Sequence, residues 1–136
     1  MREVLSDRQY RQLLTFRTAL REFLKWSERL AAEAGLTPAQ HQLLLAIRGR
    51  PGGDPTIGEI AESLLVRHHS AVELIDRAVA AGLVERVPDA HDGRVIRARV
   101  SRTGEKLLAE LSALHLEEIR RLRPIFNALE ESERAG

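Results

Sequence analysis

Residues 56–103 contain two short helical patterns followed by two strand patterns, and this order constrains the fold more than any other feature of the chain. Apolar residues recur at intervals of three and four in both helical patterns, as one buried helical face requires. In the first pattern they are Ile57, Ile60, Ala61, Leu64 and Leu65, and in the second Ala71, Leu74, Ile75 and Ala78. A turn at Val66-Arg67 separates the two. Gly82 suits the left-handed position just past a helix end, so the second helix is predicted to stop there.

Two strands joined by a charged loop are predicted after Gly82. Residues 83–87 are rich in strand-forming residues, and apolar and basic residues alternate over 96–100. The segment 88–94 between them is predicted to form a hairpin loop. The predicted fold class is therefore mainly α with a small β-hairpin wing, a winged helix-turn-helix, which is an architecture that reads DNA.

The second strand lies in a basic strip. Over residues 94–106, five basic residues face one acidic residue, a local balance of +4, whereas the whole chain carries +1. Arg97 and Arg99 share the strand face opposite the apolar residues, so this face can meet solvent or phosphate. The strip alone is explained equally well by a solvated strand face. The helix-turn-helix immediately before it favours nucleic acid.

Long amphipathic helices are predicted at both ends of the chain. The first runs over about residues 7–34 and has an apolar stripe: Leu13, Phe16, Leu20, Phe23, Leu24 and Leu30. A second helix covers about residues 38–48, followed by a loop over 49–55. After the wing, Ser101 or Thr103 can cap a last long helix, which Pro124 is expected to break. Its apolar positions are Leu107, Leu108, Leu111, Leu114, Ile119 and Leu122.

These terminal helices cannot bury all their apolar surface against so small a module, so a homodimer is predicted. Residues 1–136 are interpreted as a single domain, with 1–36 and 104–136 as dimerisation helices and 37–103 as the DNA-binding region. A two-fold dimer places two recognition helices about one turn of DNA apart, near 34–36 Å. The predicted partner is therefore double-stranded DNA with a palindromic operator.

Composition excludes several other classes of protein. The chain has no cysteine, which excludes disulfides and thiolate metal sites. It has no apolar run near the length of a membrane span and no signal-peptide pattern, which predicts a cytoplasmic protein without a membrane partner. No nucleophile, zinc-protease or P-loop motif is present, so an enzyme is not predicted. The five histidines show no metal-ligand spacing, and neither a metal nor a cofactor is expected.

The order and spacing of these residues resemble the MarR (multiple antibiotic resistance regulator) family of dimeric winged-helix transcriptional regulators. The resemblance covers nearly the whole chain and implies a sequence-specific DNA-binding regulator, predicted to be a repressor that a small ligand releases. Five segments carry it: Thr37-Pro38-Ala39-Gln40, Ile57-Gly58-Glu59-Ile60-Ala61, Leu74-Ile75-Asp76-Arg77, Gly82-Leu83-Val84-Glu85-Arg86 and the wing signature Asp89-x-x-Asp92-x-Arg94.

The resemblance implies that Arg94 enters the DNA minor groove from the wing and that Asp92 orients it. A narrow A·T-rich minor groove concentrates negative potential, and a guanidinium fits there while losing less hydration than an ammonium would. Arg97, on the second strand, is included among the predicted DNA-binding residues. The alternative is that Asp92 and Arg94 form a local turn salt bridge, although exposed pairs are usually worth under about 1 kcal/mol.

Further DNA-binding residues are predicted on the second helix of the helix-turn-helix. Arg67 and Arg77 are candidates for phosphate contacts, and Ser70 for a base edge or a phosphate. His68 and His69 complete the set implied by the resemblance: Arg67, His68, His69, Ser70 and Arg77. Glu73 is assigned no role, because phosphates repel a carboxylate unless it accepts a hydrogen bond from a cytosine amino group or pairs with Arg77 one turn away.

Members of the resembled family often bind small anionic or phenolic compounds in a cleft beside the dimerisation helices. Arg17, Trp26 and His41 are the candidate contacts for such an effector, through charge, stacking and hydrogen bonding. A lone tryptophan on an amphipathic helix, such as Trp26, is more often a core residue than a ligand contact. The competing function is a winged-helix interaction module whose arginine strip binds an acidic protein partner.

Overall fold

The computed structural model describes residues 3–135 and places five helices and two strands in that range. The elements are α1 (Asp7–Glu33), α2 (Pro38–Arg48), α3 (Ile57–Leu64), α4 (His68–Ala80), β1 (Val84–Pro88), β2 (Ile96–Val100) and α5 (Arg102–Ala135). The predicted winged helix-turn-helix with long terminal helices is confirmed. Residues 1, 2 and 136, which the predicted dimerisation segments include, lie outside the described residues.

Each of the first three helices begins with a capping box, in which side chains accept hydrogen bonds from the free backbone N–H groups at the helix start. In each, the hydroxyl of the N-cap residue accepts a hydrogen bond from the backbone N–H three residues later. The side chain of that later residue accepts one from the N–H of the N-cap residue. The pairs are Ser6 with Gln9, Thr37 with Gln40 and Thr56 with Glu59. At α5, the hydroxyl of Ser101 accepts from the N–H of Gly104 at 3.0 Å. Of the two residues that the sequence offered as its cap, Ser101 is therefore the one used.

The core lies between α2, α3, α4 and the hairpin. Leu43, Leu44, Ile60 and Ile75 are among its largest fully buried side chains. The two strands pair antiparallel, from Val84 opposite Val100 to Pro88 opposite Ile96. Ala31, Leu108 and Leu111 extend the same core into α1 and α5. Both terminal helices are thus joined to the helix-turn-helix module by buried contacts.

The prediction that Pro124 breaks the last helix is wrong, because α5 continues through it to Ala135. A proline removes one backbone hydrogen bond and crowds the preceding turn, but the turns on either side keep theirs. Packing against α1 supports the helix beyond this point, since the rings of Phe16 and Phe126 meet edge to face with centroids 5.7 Å apart.

Leu65, in the turn between α3 and α4, has a left-handed backbone with φ 57° and a side chain that is 93% exposed. A residue with a Cβ is strained there by roughly 1–2 kcal/mol, and asparagine tolerates the conformation better. We expect Leu65→Asn to raise the free energy of unfolding by up to about 1 kcal/mol, because little packing is lost. Urea denaturation would measure the change. Leu45→Asn, at a 53% exposed position inside α2, is the control and should be destabilising. A Leu65→Asn protein destabilised as much as this control would contradict the prediction.

Candidate nucleic-acid interface

Four of the predicted DNA-binding residues lie at the start of α4. Arg67 is its N-cap with extended backbone, and no side chain caps the helix there. His68 and His69 follow, both exposed, and Ser70 is half-buried. The first N–H groups of a helix have no partner within it, and they form the positive end of the helix dipole. The start of α4 therefore offers uncapped N–H donors beside an arginine, an arrangement suited to a phosphate.

Arg77 lies on the same helix but well away from that end. Ten residues separate it from Arg67, which is about 15 Å along the helix axis, so the two would meet different phosphates. Arg77 and Glu73 are both exposed. Within the range that the structure describes, no ion pair joins them, and the structure suggests no role for Glu73.

The wing loop is closed by two aspartates. Asp89 Oδ2 accepts from the backbone N–H groups of His91 and Asp92, at 2.9 and 3.0 Å. Asp92 Oδ1 accepts from the N–H and from the Nε of Arg94, both at 3.1 Å. The Arg94 side chain is nevertheless 92% exposed. Its guanidinium is thus held at one edge by Asp92 while the rest faces solvent.

Arg97 and Arg99 bond to acidic residues that lie outside the basic strip of residues 94–106, so the charge count of that strip omits them. Arg97 Nε donates to Asp89 Oδ1 at 2.6 Å, and its Nη1 donates to the backbone carbonyl of Asp54 at 2.7 Å. Arg99 Nη2 donates to Asp54 Oδ2 at 2.7 Å. Glu59 also lies 3.7 Å from Arg97. These acidic residues lie outside 94–106, so the strip is less basic than its sequence suggests.

The same contacts fix the ionisation of the wing. Hydrogen bonds from the Arg97 side chain, and then from the N–H groups of His91 and Asp92, lower the pKa of Asp89 from 3.8 to about 2. The side chain of Arg94, followed by its N–H, lowers the pKa of Asp92. Asp89 in turn raises the pKa of Arg97. Near neutral pH these groups are therefore all charged, and the loop is held by charge-assisted hydrogen bonds.

A second cluster joins α1, α2 and α5. The buried ring of His41 lies 4.9 Å from that of His115, which lies 5.0 Å from that of Trp26. Nδ1 of His115 is 2.7 Å from the Leu111 carbonyl, and its Nε2 is 2.6 Å from the Ser27 hydroxyl. Burial, and then the charge of His115, lowers the pKa of His41. The cluster sits where the DNA-binding region meets the terminal helices.

The sequence prediction named two members of this cluster and missed the residue between them. His115 follows Leu111 by four residues and so shares its inward face, a spacing that could have indicated it. Arg17 is exposed and precedes Trp26 by nine residues, which is about 13 Å along α1. The structure thus brings Trp26 and His41 together around His115 and leaves Arg17 apart from them.

Two kinds of site receive no support in the described residues. Among residues 3–135, no group of three or more histidine, cysteine, aspartate or glutamate side chains is placed to hold a metal ion. Over the same range, no helix combines the length and the apolar character needed to cross a membrane.

Comparison with known sequences gives a match over the helix-turn-helix and the wing loop. The model of the MarR family matches residues 34–95, which include α2, α3, α4 and β1. The uncharacterized HTH-type transcriptional regulator YsmB of Bacillus subtilis (strain 168) is 37% identical over 68 residues, which make up 50% of this chain and 47% of YsmB. The match thus spans about half of that relative's length.

Solved structures extend the similarity to the terminal helices. AbsC, a MarR family transcriptional regulator from Streptomyces coelicolor, has a TM-score of 0.75 and 20% identity, with 98% of this chain and 93% of AbsC covered. A mutant of MepR from S. aureus, bound to an oligodeoxyribonucleotide, has a TM-score of 0.67 and 18% identity, with 88% and 90% covered. At such identities the similarity concerns the fold.

Proposed function

We propose that the protein is a DNA-binding transcriptional regulator of the MarR family, whose model matches residues 34–95. One observation supports this most: α4 begins with exposed basic residues and no side-chain cap, whereas α1, α2 and α3 all begin with complete capping boxes. The helix that would read DNA is the one whose first N–H groups stay available for a phosphate.

The regulator is proposed to be a homodimer. Of the sixteen exposed large hydrophobic side chains in the described range, ten lie on α1 and α5. Apolar surface concentrated on two long helices is typical of a protein interface. The ten are Tyr10, Leu13, Leu14, Phe16, Leu20, Leu24, Leu114, Leu116, Ile119 and Ile125. A second copy of the chain covers them economically, because a two-fold axis pairs the same surface with itself.

Such a dimer would place one α4 in each of two successive major grooves of a palindromic operator. Arg67, His68, His69 and Ser70 would face the groove edge and its phosphates, with Arg77 on a separate phosphate. The exposed Arg94 would enter the adjacent minor groove while Asp92 holds its direction. The wing and α4 together would then cover two grooves per half-site.

We also propose that the protein is a repressor and that a small anionic or aromatic effector releases it from DNA. The cluster of Trp26, His41 and His115 supports this, because it joins the terminal helices to the DNA-binding region. A ligand that bound there better in one arrangement of the two parts would shift the protein towards that arrangement. Arg17 is set apart from this cluster, so Trp26 and His41 are the contacts proposed.

Replacing Arg94 by alanine tests the DNA-binding role of the wing. We expect Arg94→Ala to weaken binding about tenfold or more, because a desolvated guanidinium in the minor groove is lost. The probe is a labelled duplex that the wild-type protein selects from a random-sequence pool, followed by fluorescence anisotropy. The slope of the logarithm of affinity against the logarithm of salt concentration should also fall by about one, because one fewer counterion is released.

Arg121→Ala is the matched control. Arg121 is 78% exposed and pairs with a carboxylate of its own element, Glu118 on α5, at 3.0 Å. It resembles the Arg94 pair in chemistry but lies outside the proposed DNA interface, so its removal should leave DNA affinity unchanged in a variant that sedimentation shows to be dimeric. Full affinity in a dimeric Arg94→Ala protein would contradict the wing assignment.

An interaction module that binds an acidic protein partner is not favoured by any observation on the described chain. That function needs a free arginine strip, and Arg97 and Arg99 already bond to Asp89 and Asp54. Arg94 remains exposed in the wing loop, and a single arginine is better suited to a narrow groove than to a broad acidic surface.

A further inference from the structure

We propose that Arg97 is a positioning residue, which holds the wing loop through Asp89 so that Arg94 points at DNA, and that Arg97 itself makes no DNA contact. The inference rests on the proposed function, because it concerns how the wing of a DNA-binding protein is held. It also separates Arg97 from the other residues that the sequence predicts to bind DNA.

The guanidinium of Arg97 is occupied by the protein itself. Two of its nitrogens bond to Asp89 Oδ1 and to the Asp54 carbonyl, at 2.6 and 2.7 Å. Its side chain is 33% exposed, against 92% for Arg94. To contact a phosphate, Arg97 would have to break its ion pair with Asp89 or its hydrogen bond to the Asp54 carbonyl. Hydrogen bonds that include a charged group are stronger than those between neutral groups. Arg94 needs no such exchange.

Asp89 connects Arg97 to the loop that carries Arg94. One of its oxygens accepts the bond from Arg97, and the other accepts the N–H groups of His91 and Asp92. Asp92 then accepts both the N–H and the Nε of Arg94. A short series of hydrogen bonds therefore runs from the strand to the tip of the wing, with Asp89 at its centre.

Arg97 also ties the wing to the helix-turn-helix. Its bond to Asp54 and an isolated bridge to Thr56 join β2 to the residues just before α3. The N–H of Ala98 donates to the Pro55 carbonyl at 2.9 Å, which strengthens the same joint. The wing is thus fixed relative to the module that carries α4. A loop already held in its binding position loses less conformational freedom when DNA binds.

The first test compares Arg97→Lys with Arg97→Ala on a duplex that the wild-type protein selects from a random pool. Lysine keeps the positive charge, which is enough for a phosphate contact, but its ammonium lacks the planar fork that reaches both Asp89 and Asp54. We expect both variants to lose affinity by a similar factor, about fivefold or more. Near-normal affinity for Arg97→Lys together with a loss for Arg97→Ala would indicate direct phosphate contact and overturn the inference.

A double-mutant cycle with Arg94→Ala gives the second test. If Arg97 acts through Arg94, adding Arg97→Ala to the Arg94→Ala variant should change its DNA affinity by less than about twofold. The salt dependence of the double variant should then match that of Arg94→Ala alone. If the two arginines contacted DNA independently, the double variant would lose affinity by the product of the two single-variant factors. The slope of affinity against salt would then fall by about two, and this result would overturn the inference.

Two controls separate this inference from failure of the proposed function. Arg99→Ala removes a neighbouring arginine that bonds to Asp54 but not to Asp89, and it should change affinity by less than about twofold. An NMR titration of the Asp89 carboxyl needs no DNA. In Arg97→Ala its pKa should rise from about 2 towards 3.8, and an unchanged pKa would overturn the inference. A wild-type protein that selects no duplex would instead contradict the proposed function.

Discussion

Replacing Leu13 and Leu24 with lysine is expected to convert the protein from a dimer to a monomer and to reduce its affinity for operator DNA on the order of 100-fold. The two residues are eleven apart, three turns of α1, so they lie on one face. Their side chains are 54% and 49% exposed in the single chain. Lysine is therefore tolerated in the monomer but would place unpaired charge in the proposed apolar dimer interface. The loss of DNA affinity follows because one half-site no longer holds the other in place.

Sedimentation equilibrium would measure the association, and fluorescence anisotropy the DNA affinity. Leu45→Lys is the matched control, since Leu45 is 53% exposed on α2, away from the terminal helices. That variant should stay dimeric, and circular dichroism should show an unchanged helix content in all variants. A stable dimer in the Leu13 and Leu24 variant would show that this face of α1 is not the interface.

Point substitutions separate association from folding better than a deletion does. A chain that begins at Thr37 would also lose the dimer on our interpretation, but it would lose Ala31 as well, which is completely buried, and Trp26, which packs on His115. Both belong to contacts that join α1 to the rest of the chain. Loss of the dimer after that deletion would therefore not distinguish a missing interface from a damaged core.

The elements of the fold are predictable because short-range rules determine them. A helical face repeats every three to four residues, Thr37 and Pro38 mark the start of α2, and Gly82 takes the left-handed φ of 76° that ends a helix. Pro124 shows the limit of such rules. Local preference disfavours a helix there, while Phe16 on another helix packs against the turn that follows. Tertiary contact decides the outcome, and the sequence does not show it.

The candidate site divides in the same way. The Asp92 and Arg94 pair is readable from sequence because the two residues are neighbours in one loop. The bonds of Arg97 and Arg99 to Asp54 are not, since Asp54 lies more than 40 residues away along the chain. A count of charge within a window treats each arginine as free. Whether an arginine binds DNA or holds the protein together depends on which distant acids the fold brings near it.

Replacing Gly104 with alanine is expected to lower the free energy of unfolding by about 1–3 kcal/mol, the usual range for overpacking. Gly104 is buried in the first turn of α5, against the end of β2. A Cβ at this position would collide with the Leu83 carbonyl and would lie 2.8 Å from Cγ1 of Val100. The carbonyl cannot withdraw freely, because it accepts the N–H of Ser101 at 2.9 Å. Relief of the clash must therefore move α5 away from the base of the wing.

Gly58→Ala is the control that isolates this clash from the general effect of adding a methyl group. Gly58 is also in the first turn of a helix, but an added Cβ would meet only Thr56 Oγ1, at 3.9 Å. Because alanine favours a helix over glycine by up to about 1 kcal/mol, this variant should be as stable as the wild type or more so. Chemical denaturation of both variants would give the comparison. If Gly104→Ala were as stable as Gly58→Ala, the close approach of α5 to the hairpin would be incorrect.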